Sequence, residues 1–246
     1  MATADPAVPT TGHHPNTPAP TLQPRRSNAA RPVSVLVDGM DLTGKTTLTR
    51  LLVEELQTTG LRVLHHRGCL AEHHPQRRWL ERTVPGHRPA SSRLNAAFIA
   101  SAILDGPLPG VLDDTRLDVI VQESYVDRAV AYGVAAGNWP AARWATRHPE
   151  LFPRFDLALI TRAAHAVRLR RMAGRTRADG VDAATVADAA FESRFYRALD
   201  EMVRRHRRVR RIDTNATAPE RAAGEAADLV RQLTAARAAT SRGPAW

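Results

Sequence analysis

"VDGMDLTGKTT", Val37 to Thr47, is the stretch on which the reading of this chain turns. An apolar run, "VSVLVDG" (Val33–Gly39), leads into it. A helical pattern follows, with Leu48, Leu51, Leu52 and Leu56 at helical spacing and Gly60 suited to the helix end. Gly39 and Gly44 bracket four residues, and Lys45 and Thr46 come directly after. Strand, glycine loop and helix in that order make an anion site. The glycines let backbone N–H groups wrap the ligand, the helix presents its positive end, and the lysine reaches between phosphate oxygens. The residues expected to hold a nucleoside triphosphate are Gly39, Met40, Asp41, Leu42, Thr43, Gly44, Lys45, Thr46 and Thr47, with the Thr46 hydroxyl offered to Mg²⁺. The competing reading is a strand-to-helix turn that binds nothing.

Composition points to the same lysine. The chain has 246 residues and 35 basic side chains, and Lys45 is its single lysine; the rest are arginine. A chain so biased uses arginine wherever a generic positive charge suffices, whereas position 45 needs a compact ammonium on a flexible stem. The length suits one domain. No apolar run reaches the roughly 18 residues of a membrane span, and no charged-then-apolar leader is visible, so a cytoplasmic enzyme is expected. The lone Cys69 lacks partners for a disulfide or a zinc site and reads as a small apolar residue. The net charge of +10 admits a polyanionic partner. Its densest run, "RRHRRVRR" (Arg204–Arg211), however, spans a helix end and a strand start and reads as a solvated face, so nucleic acid is not expected as a partner.

Residues 1–30 hold six prolines and no apolar period, which predicts a disordered arm. Residues 31–234 read as one α/β domain, with a lid at about 173–184, and 235–246 as a flexible tail. Apolar runs alternate with helical patterns through "LRVLHHRG", "SSRLNAAFIASAILDG", "LDVIVQES", "FDLALIT", "HAVRLRRMA", "VADAAFESRFYRALDEMVRR" and "VRRIDTN", closing with a helix from Pro219 to about Leu233. That order predicts a five-stranded parallel sheet covered by helices on both faces, a P-loop kinase architecture.

Three further features carry chemistry. Glu123 ends the strand "LDVIV" at the carboxyl edge of the sheet, where an acid holds Mg²⁺ or takes a proton from an attacking hydroxyl; the bland reading is an exposed strand-end acid. Asp41 places a carboxylate inside the loop, for a sugar hydroxyl or a hydrated Mg²⁺, or simply to stabilise the turn. "RLRRMAGRTRADG" (Arg168–Gly180) puts arginines near a glycine-containing loop, and Arg171, Arg175 and Arg177 are expected, as a group, to neutralise the transferring phosphoryl.

These residues resemble the thymidylate kinase family of nucleoside monophosphate kinases, from about Val33 to Leu233. The family's G-x-D-x-x-G-K-[ST]-T loop is matched from Gly39 to Thr47, Asp41 included. Arg67 in "HHRG" stands where the family has the arginine of its R-E-P-G segment. "ESYVDRAVAYG" (Glu123–Gly133) is similar to D-R-Y-x-D-S-x-x-A-Y-Q, with Tyr125, Asp127, Ala131 and Tyr132 matching. "GRTRAD" resembles the arginine-bearing lid and "IDTNATAPE" the adenine-side loop. The resemblance implies an ATP- and Mg²⁺-dependent phosphotransferase for dTMP or a related nucleoside monophosphate. It implies an acceptor side built from Asp41, Arg67, Phe98, Arg128 and Tyr132, and a homodimer. Departures fall on that side: Ser124 replaces the arginine of D-R-Y, Ala102 stands where the family has a base-contacting arginine, and Gly133 replaces the glutamine that faces thymine. Arg128, one helical turn past Ser124, is expected to reach the acceptor phosphate instead. The alternatives are a kinase for a nucleoside or specialised-metabolite hydroxyl on the same fold and, from another class, a nucleotide switch or nucleic-acid-binding module.

Overall fold

The computed structural model describes residues 31–67, 91–103, 112–137, 139–174 and 188–241. The proline-rich arm, Cys69, Arg175, Arg177 and nearly all of the expected lid lie outside them. Five parallel strands, β1 (Val33–Gly39), β2 (Val63–His66), β3 (Val119–Glu123), β4 (Leu157–Arg162) and β5 (Val209–Asp213), form one sheet in the order β2-β3-β1-β4-β5. Seven α-helices accompany it among the described residues: α1 (Lys45–Thr58), α2 (Ser92–Ile103), α3 (Val126–Ala135), α4 (Pro140–Arg147), α5 (His165–Ala173), α6 (Ala189–Val203) and α7 (Pro219–Ser241).

β1 is the central strand and every residue of it is buried, as expected of a parallel strand covered on both faces. The period of two divides its side chains. Val33, Val35 and Val37 join Val119, Val121, Leu157 and Leu159 against Leu48, Leu52 and Leu56 of α1 and Ala223, Ala227 and Val230 of α7. Leu36, Ile120, Ala158 and Ile160 face the other way, onto a core with Ile99 of α2, Val130 of α3 and Phe195 and Leu199 of α6. The expected sheet, covered on both faces, is therefore present.

From β1 the chain moves outward through α1 to β2, and after β3 it crosses to β4 on the far side of β1. This reversal of direction opens a crevice at the carboxyl end of β1, between β3 and β4, where open α/β sheets place their ligands.

Three details differ from the sequence reading. α7 continues to Ser241 instead of ending near Leu233, so the expected tail from Ala235 is helical for about two further turns. Arg237 holds it there by donating to the Pro32 carbonyl (2.6 Å) and to Asp156 Oδ1 (2.7 Å). The alternation of strand and helix implies a single helix between β3 and β4, but that segment forms two, because Gly137, at φ 140°, and Pro140 at the start of α4 break it. The basic run is not uniformly solvated. Arg205 pairs with the fully buried Asp127 at 2.7 Å, and His206 is buried beside it, its Nδ1 accepting the Phe155 N–H at 3.2 Å. No helix among the described residues is long and apolar enough to cross a membrane.

Candidate functional site

The loop that leaves β1 is shaped by backbone conformations that few side chains allow. Gly39 has φ 146°, and a Cβ there would lie 2.4 Å from the Thr161 carbonyl oxygen of β4. Gly44 has φ 87° and forms the N-cap of α1. Between them Leu42 adopts φ 66°, unusual for a non-glycine residue. No side chain caps α1 and its first turn carries no acid, so the N–H groups of that turn face the loop with the positive end of the helix dipole behind them. Donor set and cradle both fit a polyphosphate.

Asp38 closes β1 beneath this loop. Its Oδ1 accepts the Gly39 N–H at 2.8 Å, its Oδ2 lies 3.4 Å from the Tyr125 N–H, and it is fully buried. Burial raises its carboxyl to about 7, with the nearby Lys45 opposing the rise. Lys45 is itself largely buried. Its Nζ donates to the Met40 carbonyl at 2.7 Å and stands 3.6 Å from Asp41 Oδ1. Burial lowers its pKa, against the pull of Asp41. Thr43 Oγ1 donates to the Met40 carbonyl (2.7 Å) and lies 2.6 Å from Thr161 Oγ1, tying the loop to β4.

Thr46 and Glu123 come together as expected. The threonine hydroxyl donates to Glu123 Oε1 at 2.6 Å. Glu123 Oε2 meets Arg67 Nε at 3.0 Å and His65 Nε2 at 3.0 Å. Burial alone would raise the Glu123 pKa, but the hydrogen bonds from His65, Thr46 and Arg67 outweigh it and hold the carboxyl at about 2. The described residues contain no group of three or more His, Cys, Asp or Glu placed to hold a metal by themselves. Thr46 and Glu123 instead present two adjacent oxygens beside the anion cradle, the complement expected of Mg²⁺ carried in on phosphates.

Asp41 bridges two cations. Besides Lys45 it pairs with Arg128 at 2.5 Å, so a carboxylate of the loop holds an arginine of α3 over the loop. Both cations push its pKa down past the opposing effect of burial. Tyr132, one turn after Arg128, packs edge-on against Phe191 with ring centroids 5.2 Å apart. Phe98 is half-buried on α2.

Gly133 is a packing residue. A Cβ there would lie 2.5 Å from Asn95 Oδ1 and 2.6 Å from Ala142 Cβ, so α2 and α4 close directly onto α3. No longer side chain has room at that position.

Arg171 sits on α5, in the helical stretch "HAVRLRRMA" beside the glycine-containing loop. It donates to the Leu42 carbonyl (2.9 Å), the Thr214 carbonyl (2.9 Å) and Thr214 Oγ1 (3.2 Å), bracing the glycine loop against the segment after β5. Arg175 and Arg177 lie outside the described residues. One turn before Arg171 on the same helix, Arg168 is fully buried under the loop, in contact with the Met40 sulfur and with Glu192 at 3.2 Å.

Sequence reasoning singled out neither Arg168 nor His65 as a site residue. The signals were present: Arg168 shares a helix face with Arg171, and His65 lies two residues before Arg67 on a strand, hence on the same face of the sheet. Neither family models nor curated proteins provide a match to this sequence, so the functional reading rests on the motif and its geometry.

Proposed function

We propose that this chain is an ATP- and Mg²⁺-dependent phosphotransferase built around a P-loop, resembling thymidylate kinase and acting on a nucleoside monophosphate. The observation that carries the reading is the uncapped start of α1. There Gly39, Leu42 and Gly44 all hold positive φ, the chain's one lysine follows immediately, and Thr46 bonds to Glu123 beside them.

In this reading the loop N–H groups and Lys45 bind the donor phosphates and fix their orientation. Thr46 and Glu123 hold the hydrated cation. Mg²⁺, when bound, supplies neutralisation of charge on the donor phosphates. Arg128, poised by Asp41, and Arg67, poised by Glu123, give the acceptor phosphate two guanidinium partners.

The state of Glu123 favours a monophosphate acceptor. A phosphate oxygen is already ionised and needs no general base, whereas a hydroxyl acceptor does. A carboxylate held at about 2 is a weak base near neutrality. Asp38 has the better pKa but is sealed beneath the loop with its oxygens directed at backbone N–H groups. A hydroxyl acceptor remains the second reading, favoured by the packing at Gly133, which removes the position that would face thymine.

The test is Mg²⁺-dependent ADP formation from ATP against dTMP, the other nucleoside monophosphates and the free nucleosides, with Lys45→Ala as control. Turnover of a monophosphate that the control loses is the expected result. Turnover of nucleosides alone selects the second reading, and no Mg²⁺-dependent turnover or ATP binding sinks both.

A further inference from the structure

β2 ends in two histidines that grip two successive residues of β3 from opposite faces of the sheet. His65 reaches Glu123 on the α1 side. His66, paired in register with Gln122, meets it on the α2–α3 side: His66 Nδ1 lies 2.6 Å from Gln122 Oε1. Gln122 Nε2 donates to the Ser124 carbonyl at 2.8 Å, which makes Oε1 its acceptor and His66 Nδ1–H the donor. Gln122 is fully buried and continues the row in which Ile120 stands two residues earlier. An apolar residue would fill that place without needing partners, and a buried amide is tolerated only where it is bonded.

What the amide holds is a strained turn. Ser124 has φ 59°, a left-handed conformation that a non-glycine residue adopts at a cost of about 1 kcal/mol or more. Its N–H still donates to the Val37 carbonyl at 2.9 Å, so the chain stays in the sheet up to this point and then turns sharply into α3. The turn decides two placements. Glu123, just before it, is aimed at Thr46, and Arg128, in the first turn of α3 after it, is aimed at Asp41.

We infer that Gln122, held by His66, is a positioning residue: its bond to the Ser124 carbonyl keeps the left-handed turn in place and so sets Glu123 and Arg128 against the glycine loop. The inference rests on the proposed phosphotransfer site for its functional consequence, but not for the latch itself.

The experiment uses the full chain with Gln122→Leu, which keeps side-chain volume and removes the amide, and Gln122→Leu/Ser124→Gly, in which glycine adopts the left-handed turn without strain. Two quantities are read: hydrogen exchange of the Ser124–Asp127 amides without nucleotide, and the Mg²⁺ concentration needed for half-maximal nucleotide-dependent activity. Gln122→Leu is expected to speed exchange at these amides about tenfold, the loss of one buried hydrogen bond, and to raise the Mg²⁺ requirement by a similar factor. Ser124→Gly in the same chain should restore both. A merely structural amide would loosen the whole core, and glycine would then loosen it further. Unchanged exchange in Gln122→Leu overturns the latch, as does failure of the glycine to restore it. A wild-type chain that shows no Mg²⁺-dependent nucleotide binding overturns the phosphotransfer reading instead, and leaves the exchange result to decide the latch.

Discussion

Around Gly39–Thr47 the site is made of main chain, whereas across from it, from His65 to Arg128, it is made of side chains that hold one another. The loop gets its shape from three positive φ angles and an uncapped helix start. The facing rim gets its shape from pairs: Arg67 and His65 on Glu123, Arg128 on Asp41, His66 on Gln122. A backbone site is specified by a few local residues and depends on them almost completely. A side-chain rim distributes its specification over segments far apart in the chain, and single replacements there change affinity more than they abolish function.

The sharpest way to break that contrast is at Lys45, the one side chain of the loop side that no backbone group replaces. Lys45→Ala is expected to lower kcat by roughly 10³-fold or more with the fold intact, the scale of removing a preorganised charge from a transferring phosphoryl group. A loss below tenfold in steady-state kinetics would place the chemistry elsewhere.

Asp38 tests whether the loop side is as closed as its burial suggests. Its carboxyl is raised from 3.8 to about 7, so between these values the folded chain keeps a proton that the unfolded chain has released. Stability contributed by this group is therefore full below pH 4, falls as pH rises to 7 and is level above, a change on the order of a few kcal/mol. Asp38→Asn retains an acceptor for the Gly39 N–H and removes the titration. Denaturant unfolding at pH 4.5, 6 and 8 should show the wild type losing stability relative to the variant across that window, and parallel curves would mean Asp38 is ionised in the fold. Glu123 does not confound the comparison. Held at about 2, its contribution is complete above its ordinary 4.5 and is lost only as pH falls towards 2.

Arg128 tests the rim. Arg128→Ala should raise the KM for a monophosphate acceptor about 10- to 100-fold, the loss of one charge-assisted contact, while the KM for ATP changes little. Equal rises in both would mean that Arg128 acts on the donor through Asp41 and Lys45, making the two sides one site.

How much of this was legible beforehand follows the same division. The loop could be read because its information is local: a glycine at each bend, a lysine and a threonine at the helix start, and an apolar strand before them. The sheet could be read because parallel strands buried on both faces leave continuous apolar runs such as "VSVLV" and "LALI". The rim could be read only in part. Thr46 and Glu123 are 77 positions apart and Asp41 and Arg128 are 87 apart, and strand ends alone brought the first pair into view. The burial of Arg168 and Arg205 was hidden for another reason: in a chain that uses arginine almost everywhere, a structural arginine has the same spelling as a solvated one. The continuation of α7 to Ser241 was hidden because Arg237, which anchors it, finds its partners at Pro32 and Asp156, remote in sequence.

Gly133 gives the smallest expected effect and the finest discrimination. By comparison with the family that the chain resembles, position 133 is where a substrate base would be read, which makes Gly133 look like a lost contact. In the fold it is where three helices meet, with Asn95 and Ala142 close enough that even one methyl group would overlap both. The two accounts predict different things for Gly133→Ala. If the position belongs to the substrate side, the variant should alter acceptor KM and leave stability alone. Packing predicts the reverse: destabilisation by about 1–3 kcal/mol, the usual cost of overfilling a close-packed site, with acceptor KM unchanged within twofold at a temperature where the variant stays folded. Thermal unfolding beside steady-state kinetics on one preparation separates them. The second outcome would mean that Gly133 takes no part in acceptor selectivity, which leaves Arg128 and Arg67, the two arginines held by Asp41 and Glu123, as the places where substitutions designed to change the acceptor should then be made.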